Sequence, residues 1–130
     1  MSKELIIKKC EKCGAMVRVI EDCNCKDCGI ECCGNAMNEV EANSVDAAFE
    51  KHVPVFEVKG DVVEVKVGAV EHPMIPEHFI EWIALKTKQG NQRKALKPGE
   101  APKACFRMCE GDEVEAVYAY CNLHSLWKAE

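Results

Sequence analysis

Val53-Pro54-Val55-Phe56-Glu57-Val58-Lys59-Gly60-Asp61-Val62-Val63-Glu64-Val65-Lys66-Val67 is the stretch that decides the fold. Val63, Val65 and Val67 alternate with Glu64 and Lys66, the period-two pattern of a strand with one face buried and one in water. Lys59-Gly60-Asp61 is a turn, and residues 53–58 read as the strand before it. Further along, 79–87 is a third run, rich in aromatic and aliphatic residues and closed by Lys88-Gln89-Gly90-Asn91. A turn at Lys97-Pro98-Gly99 precedes 104–108, and 113–121 makes the last clear strand. Short strands between turn signals, with no convincing helical period and no internal repeat, predict an all-β protein built on an antiparallel β-sandwich.

A chain of 130 residues is one ordinary domain, or one domain with a small metal-stapled module. Hydrophobic content of 48% and charged content of 30% suit a soluble globular protein. A net charge of −5 offers no basic footprint for nucleic acid. The first residues carry charge on both sides of a very short apolar core, unlike a signal peptide. No stretch approaches the ~20 apolar residues that span a bilayer. These features predict a cytoplasmic protein with no membrane partner.

Cysteine is the anomaly: seven of the ten fall within the first 33 residues. In a reducing compartment clustered cysteines bind metal far more often than they pair as disulfides. Cys10-Glu11-Lys12-Cys13-Gly14 is a metal knuckle, followed by a short strand over 15–20, then Cys23, Cys25 and Cys28, then Cys32-Cys33-Gly34. Residues 1–40 hold too few apolar side chains for a core of their own, so a metal must help hold them. Four thiolates suit zinc or a single iron equally, and the close-spaced Cys23, Cys25 and Cys28 leave room for an iron–sulfur cluster. Residues 41–51 read as a linker that ends in a functional loop, making 41–130 the second domain.

The histidines concentrate the chemistry. There are four: His52 at the start of a strand, His72 and His78 at the two ends of a loop stiffened by Pro73 and Pro76, and His124 three residues after Cys121. A turn at Asn122 brings Cys121 and His124 to one metal. A rival grouping joins Cys105 and Cys109 with Cys121 and His124 as a structural Cys3His zinc site. An extended 105–109 would hold those two sulfurs about 13 Å apart, at roughly 3.3 Å per residue, and the scheme leaves three histidines unemployed. Cys105 and Cys109 are therefore expected to be small packing residues. Four imidazoles and one thiolate instead leave one position of an octahedron open, which suits a redox iron whose thiolate pushes electron density toward a small oxygen species. Lys51 would attract an anion there, and the hard carboxylate of Glu50 would cap the vacant position when the metal is oxidised. The reading from another class is a metal-stapled electron-transfer or structural zinc module with no substrate.

Nearly the whole chain resembles the desulfoferrodoxins, the superoxide reductases with two iron centres. The resemblance is carried by Glu50-Lys51-His52-Val53-Pro54-Val55, Val67-Gly68, Glu71-His72-Pro73-Met74, Glu77-His78-Phe79-Ile80-Glu81-Trp82-Ile83, Leu96-Lys97-Pro98-Gly99, Tyr120-Cys121-Asn122-Leu123-His124 and Trp127-Lys128. It implies an immunoglobulin-like sandwich behind a small desulforedoxin-like domain, usually as a homodimer. It implies a catalytic ferrous iron held by His52, His72, His78 and His124 with Cys121 as axial ligand, Lys51 drawing in superoxide and assisting protonation, and Glu50 ligating the ferric state. Cys10, Cys13, Cys32 and Cys33 match a rubredoxin-like iron site, fed by a rubredoxin-like donor. Cys23, Cys25 and Cys28 depart from the family's Gly-rich segment, and the related methanoferrodoxins carry a four-iron cluster in place of the single iron. Ser125 stands where the family commonly has glycine.

Overall fold

The computed structural model describes residues 5–23 and 29–130. The chain divides into two compact units, Met1–Glu41 and Ala42–Glu130. In the first, β1 (Ile6–Lys9) pairs antiparallel with β2 (Met16–Val19), Ile6 opposite Val19 and Lys9 opposite Met16. The two-residue strands β3 (Glu31–Cys32) and β4 (Asn35–Ala36) form a tight hairpin, and β5 (Asn38–Glu39) adds to the other edge of β1. Cys33 and Gly34 make that hairpin's turn with φ of +56° and +78°. Such left-handed backbone costs an L-residue energy and glycine almost none.

The second unit begins with α1 (Phe49–His52), a single helical turn, and continues as two antiparallel sheets. One has the order β10 (Lys103–Arg107), β7 (Val62–Val67), β6 (Pro54–Lys59). The other has the order β12 (Ser125–Ala129), β11 (Val114–Cys121), β8 (Ile80–Thr87), β9 (Gly90–Ala95). The alternation read in the sequence is the register of β7: Val63, Val65 and Val67 are buried, while Glu64 and Lys66 are exposed. Those valines meet Ile80, Ile83, Leu85, Val117 and Ala119, with Phe106 and Met108 completing the core. Each such side chain contributes about 1.5–3 kcal/mol by leaving water. The all-β, sandwich-type expectation is therefore met.

Six strands escaped the sequence reading: β1, the two-residue strands β3, β4 and β5, and then β9 and β12. The helical turn α1 stands where the reading placed a loop. Cys105, on β10, and Cys109 are both exposed, which corrects their assignment as packing residues. A thiol at the outward-facing strand position 105, or in the exposed segment that holds Cys109, buries little, so packing is not what these two do. The Val67–Gly68 peptide bond is cis.

Candidate metal centres

In the first unit the knuckle closes through two backbone hydrogen bonds: the Gly14 amide donates to the Cys10 carbonyl at 2.9 Å, and the Cys10 amide to the Ala15 carbonyl at 2.8 Å. The resulting turn and the β3–β4 hairpin bring the sulfurs of Cys10, Cys13, Cys32 and Cys33 within 4.8 Å of one another. Cys13 and Cys32 are 3.6 Å apart, Cys32 and Cys33 3.9 Å. Four thiolates placed tetrahedrally around one ion at a metal–sulfur distance of about 2.3 Å stand about 3.8 Å apart, so the set fits a single ion. Amide hydrogen bonds, chiefly from Cys13, hold the Cys10 thiol down at about 7, which favours the thiolate that a metal needs. Hydrogen bonding to the Cys13 sulfur, then to those of Cys10 and Cys33, pushes Cys32 up to about 12. A bound cation is what allows such neighbours to be thiolates together. Cys23 lies outside this set, its amide and thiol both directed at the Asp22 carboxylate. Cys25 and Cys28 lie outside the described residues.

The second centre is built by four loops and strand ends of the sandwich. Within α1, the His52 Nδ1–H donates to the Ala48 carbonyl at 2.8 Å; the His72 Nδ1–H donates to the Pro73 carbonyl at 2.7 Å. A carbonyl can only accept, so the proton sits on Nδ1 in both rings and each Nε2 is a bare lone pair. Those two lone pairs face each other at 3.2 Å. The Nδ1 of His124 meets the same His52 Nε2 at 3.1 Å. His78 Nε2 is buried with no hydrogen-bond partner. Converging lone pairs and an orphaned buried nitrogen repel or go unsatisfied unless a cation stands between them. Nitrogens at right angles on one ion, about 2.1 Å from it, stand about 3.0 Å apart, which these distances match.

Ring centroids trace a four-sided figure, His52–His72 4.6 Å, His72–His78 4.7 Å, His78–His124 5.1 Å and His124–His52 4.8 Å, with His52–His78 across it at 6.2 Å. Cys121 joins from β11. Its donor atom and those of His52, His72 and His78 all lie within 4.8 Å of one another, a set that does not include His124, whose Nδ1 is 3.9 Å from the Cys121 sulfur. A register shift between Tyr120 and Cys121 places Cys121 opposite Ile80, so the strand bends where the thiol is presented. The three-residue loop Asn122–His124 then returns the chain into β12, and Ser125 takes φ +67°. Asn122 ties this loop down: its side chain accepts from the Phe79 amide and donates to the Glu77 carbonyl.

Burial is the first cause of every resolved shift here. It lowers His52 and His78 and takes His72 down to about 4, so the imidazoles stay neutral and ready to ligate; it raises the Cys121 thiol, which keeps its proton until a metal displaces it. Glu50 and Lys51 are exposed residues of the same turn as His52, and the Lys51 charge is felt at both His52 and His78. Sequence reasoning missed the Ala48 and Pro73 carbonyls, because every residue carries one and nothing in a sequence marks those that orient a ring. It also assigned no role to Trp127, fully buried, whose indole N–H donates to the His124 carbonyl at 2.9 Å and whose ring lies 5.0 Å from that of His52. Cys105 and Cys109 join neither donor set among the described residues.

The donor sets, one of four thiolates and one of imidazoles with a thiolate, are those of the two iron centres of desulfoferrodoxins. The desulfoferrodoxin family model matches residues 44–130. A desulfoferrodoxin from Syntrophotalea carbinolica is 45% identical over 130 residues, covering all of this chain and 99% of the relative. A superoxide reductase from Pyrococcus horikoshii is 37% identical over 105 residues, 67% of this chain and 90% of the relative. The crystal structure of the superoxide reductase from Treponema pallidum superimposes with a TM-score of 0.82 at 38% identity, covering 98% of this chain and all of that one. With two donor sets, a sandwich and full-length relatives in agreement, the chain belongs to the desulfoferrodoxin family.

Proposed function

We infer that the protein is a superoxide reductase, and the observation that carries this reading is the gathering of the His52, His72 and His78 nitrogens and the Cys121 sulfur within 4.8 Å of one another, with the His124 Nδ1 3.1 Å from the His52 Nε2. Iron held there in the ferrous state would supply the one electron that, with two protons, turns superoxide into hydrogen peroxide. His52, His72, His78 and His124 would hold the metal, and the Cys121 thiolate would donate electron density to it. The Lys51 ammonium draws the anion in and orders the water that delivers protons. The Glu50 carboxylate supplies a hard oxygen ligand to the oxidised state. Cys10, Cys13, Cys32 and Cys33 would hold a second iron, a one-electron centre suited to a rubredoxin-like donor. The reading extends to a cytoplasmic homodimer; among the described residues no helix is long and apolar enough to cross a membrane.

Iron-replete protein should consume superoxide without evolving oxygen, and His78→Ala should abolish that consumption. Oxygen release would identify a dismutase instead, and an unaffected His78→Ala variant would leave a metal-stapled module without a substrate. Elemental analysis should find two irons per chain and no acid-labile sulfide. One thiolate set within 4.8 Å suits one ion, whereas a cluster spreads its thiolates over several irons.

A further inference from the structure

The segment that carries Glu50, Lys51 and His52 is not held by its own length: α1 is one turn long, and its N-terminus has no side-chain cap. A helix this short does not persist in water without tertiary support. That support comes from the loop after β7. The Val70 amide donates to the Glu50 carbonyl at 2.8 Å, and the loop is closed by the His72 amide donating to the Val67 carbonyl at 3.0 Å. Between these two bonds lies Gly68, buried, with no side chain. A Cβ there would stand 2.6 Å from the Glu50 carbonyl oxygen, 2.8 Å from the Lys51 carbonyl carbon and 3.1 Å from the Glu50 carbonyl carbon. All three are main-chain atoms that cannot swing aside as a side chain would. Five of the other seven glycines are in left-handed turns with open space where a Cβ would go, so their glycine serves backbone freedom; Gly68 serves close approach.

We propose that Gly68 is a positioning residue: its bare Cα lets the Glu50–Lys51 backbone lie directly on the β7–His72 loop and so fixes Lys51 relative to the histidine cluster. This role rests on the superoxide reductase reading for its effect on rate, and on the chain alone for its effect on structure. One contact thereby couples two parts of the site, since the loop that Gly68 begins ends at His72 and the turn it supports ends at His52. Displacing the turn by the few tenths of an ångström to an ångström that a methyl group demands would leave the donor inventory intact and shift the charge that meets the anion.

Two measurements on the full-length protein test this. In the metal-free state, Gly68→Ala should accelerate hydrogen exchange at the Lys51 and Val70 amides while the β8 and β11 amides keep their protection. In the iron-loaded state it should slow the reaction with superoxide roughly tenfold or more, the order of loss expected when a charged group is misplaced by about 1 Å, and should flatten the dependence on ionic strength. The decisive comparison is a double-mutant cycle: on a Lys51→Ala background, Gly68→Ala should have little further effect on the rate, because the group it positions is gone. Additive losses, or unchanged exchange at Lys51 and Val70, would overturn the proposal. A protein that consumes no superoxide in any form would remove the functional reading and leave the exchange experiment to decide the positioning. Should Gly68→Ala lose protection throughout β8 and β11, Val70→Pro, which deletes the amide that grips Glu50 without adding bulk at 68, is read by the same pair of measurements.

Discussion

The units 1–41 and 42–130 hold their donor sets by opposite means. Among the described residues of the first, only Leu5, Ile7, Cys10 and Met37 are buried, and one of those is itself a thiol of the metal set. Its strands are four residues long or shorter. In the second, the histidine cluster sits at the end of a sandwich with strands of up to eight residues and a core running from Val63 to Cys121. The first unit is organised around its metal. The second rests on its own core, and two of its imidazoles, His52 and His72, are aimed by the Ala48 and Pro73 carbonyls rather than by a metal. A donor set that its surroundings cannot hold and a donor set that its surroundings hold thus occur in one chain.

The largest expected effect follows from that contrast. A structural metal contributes on the order of 10 kcal/mol to a small thiolate-held fold. Chelation under reducing conditions should therefore strip amide protection from β1 and β2 in the full-length protein while β8 and β11 stay protected. Hydrogen exchange followed by mass spectrometry reads both units in one sample. Persistent protection in β1 and β2 after complete metal removal would break the comparison.

The complementary change attacks the second unit through its core. Leu85 is fully buried among Val63, Ile83 and Val117. Leu85→Ala should destabilise this unit by about 2–5 kcal/mol, the transfer and cavity cost of such truncations. Denaturant titration should show the loss in the transition that exposes Trp82 and Trp127, with the thiolate-bound metal content unchanged. A loss below about 1 kcal/mol would mean that the sandwich, too, leans on its metal.

How much of this was legible in the sequence follows the same division. β7 could be read because it has one wet and one dry face, and alternation is the signature of that situation. β9, Gly-Asn-Gln-Arg-Lys-Ala, is exposed at every position, being an edge strand with no dry face to write into the sequence. β1 and β12 show no two-residue alternation between dry and wet faces. The donor atoms were legible as residue types, and their motif order as a family pattern. Their mutual approach was not, because it depends on a helical turn too short to show a 3.6-residue repeat and on carbonyls common to all residues. The exposure of Cys105 was missed for a related reason. Residues 103–107 do alternate, with Ala104 and Phe106 turned inward and Lys103, Cys105 and Arg107 outward, but a cysteine between two apolar residues reads as one more apolar residue and hides that period.

The smallest effect is also the most local. The loop that carries Asn122, Leu123 and His124 returns to the sheet at Ser125, which pairs with Cys121 and holds φ at +67°. Left-handed backbone costs a residue with a Cβ about 1–2 kcal/mol, and glycine is the side chain that avoids it. That makes Ser125 a small conformational load beside the site. Ser125→Gly should relieve it, offset in part by the greater freedom of glycine in the unfolded chain, for a net gain of about 0.5–1 kcal/mol. The gain should show as a raised denaturation midpoint of the second unit with no change in β1 or β2. A loss of stability instead would mean that the serine hydroxyl makes a contact in this turn that outweighs its backbone cost.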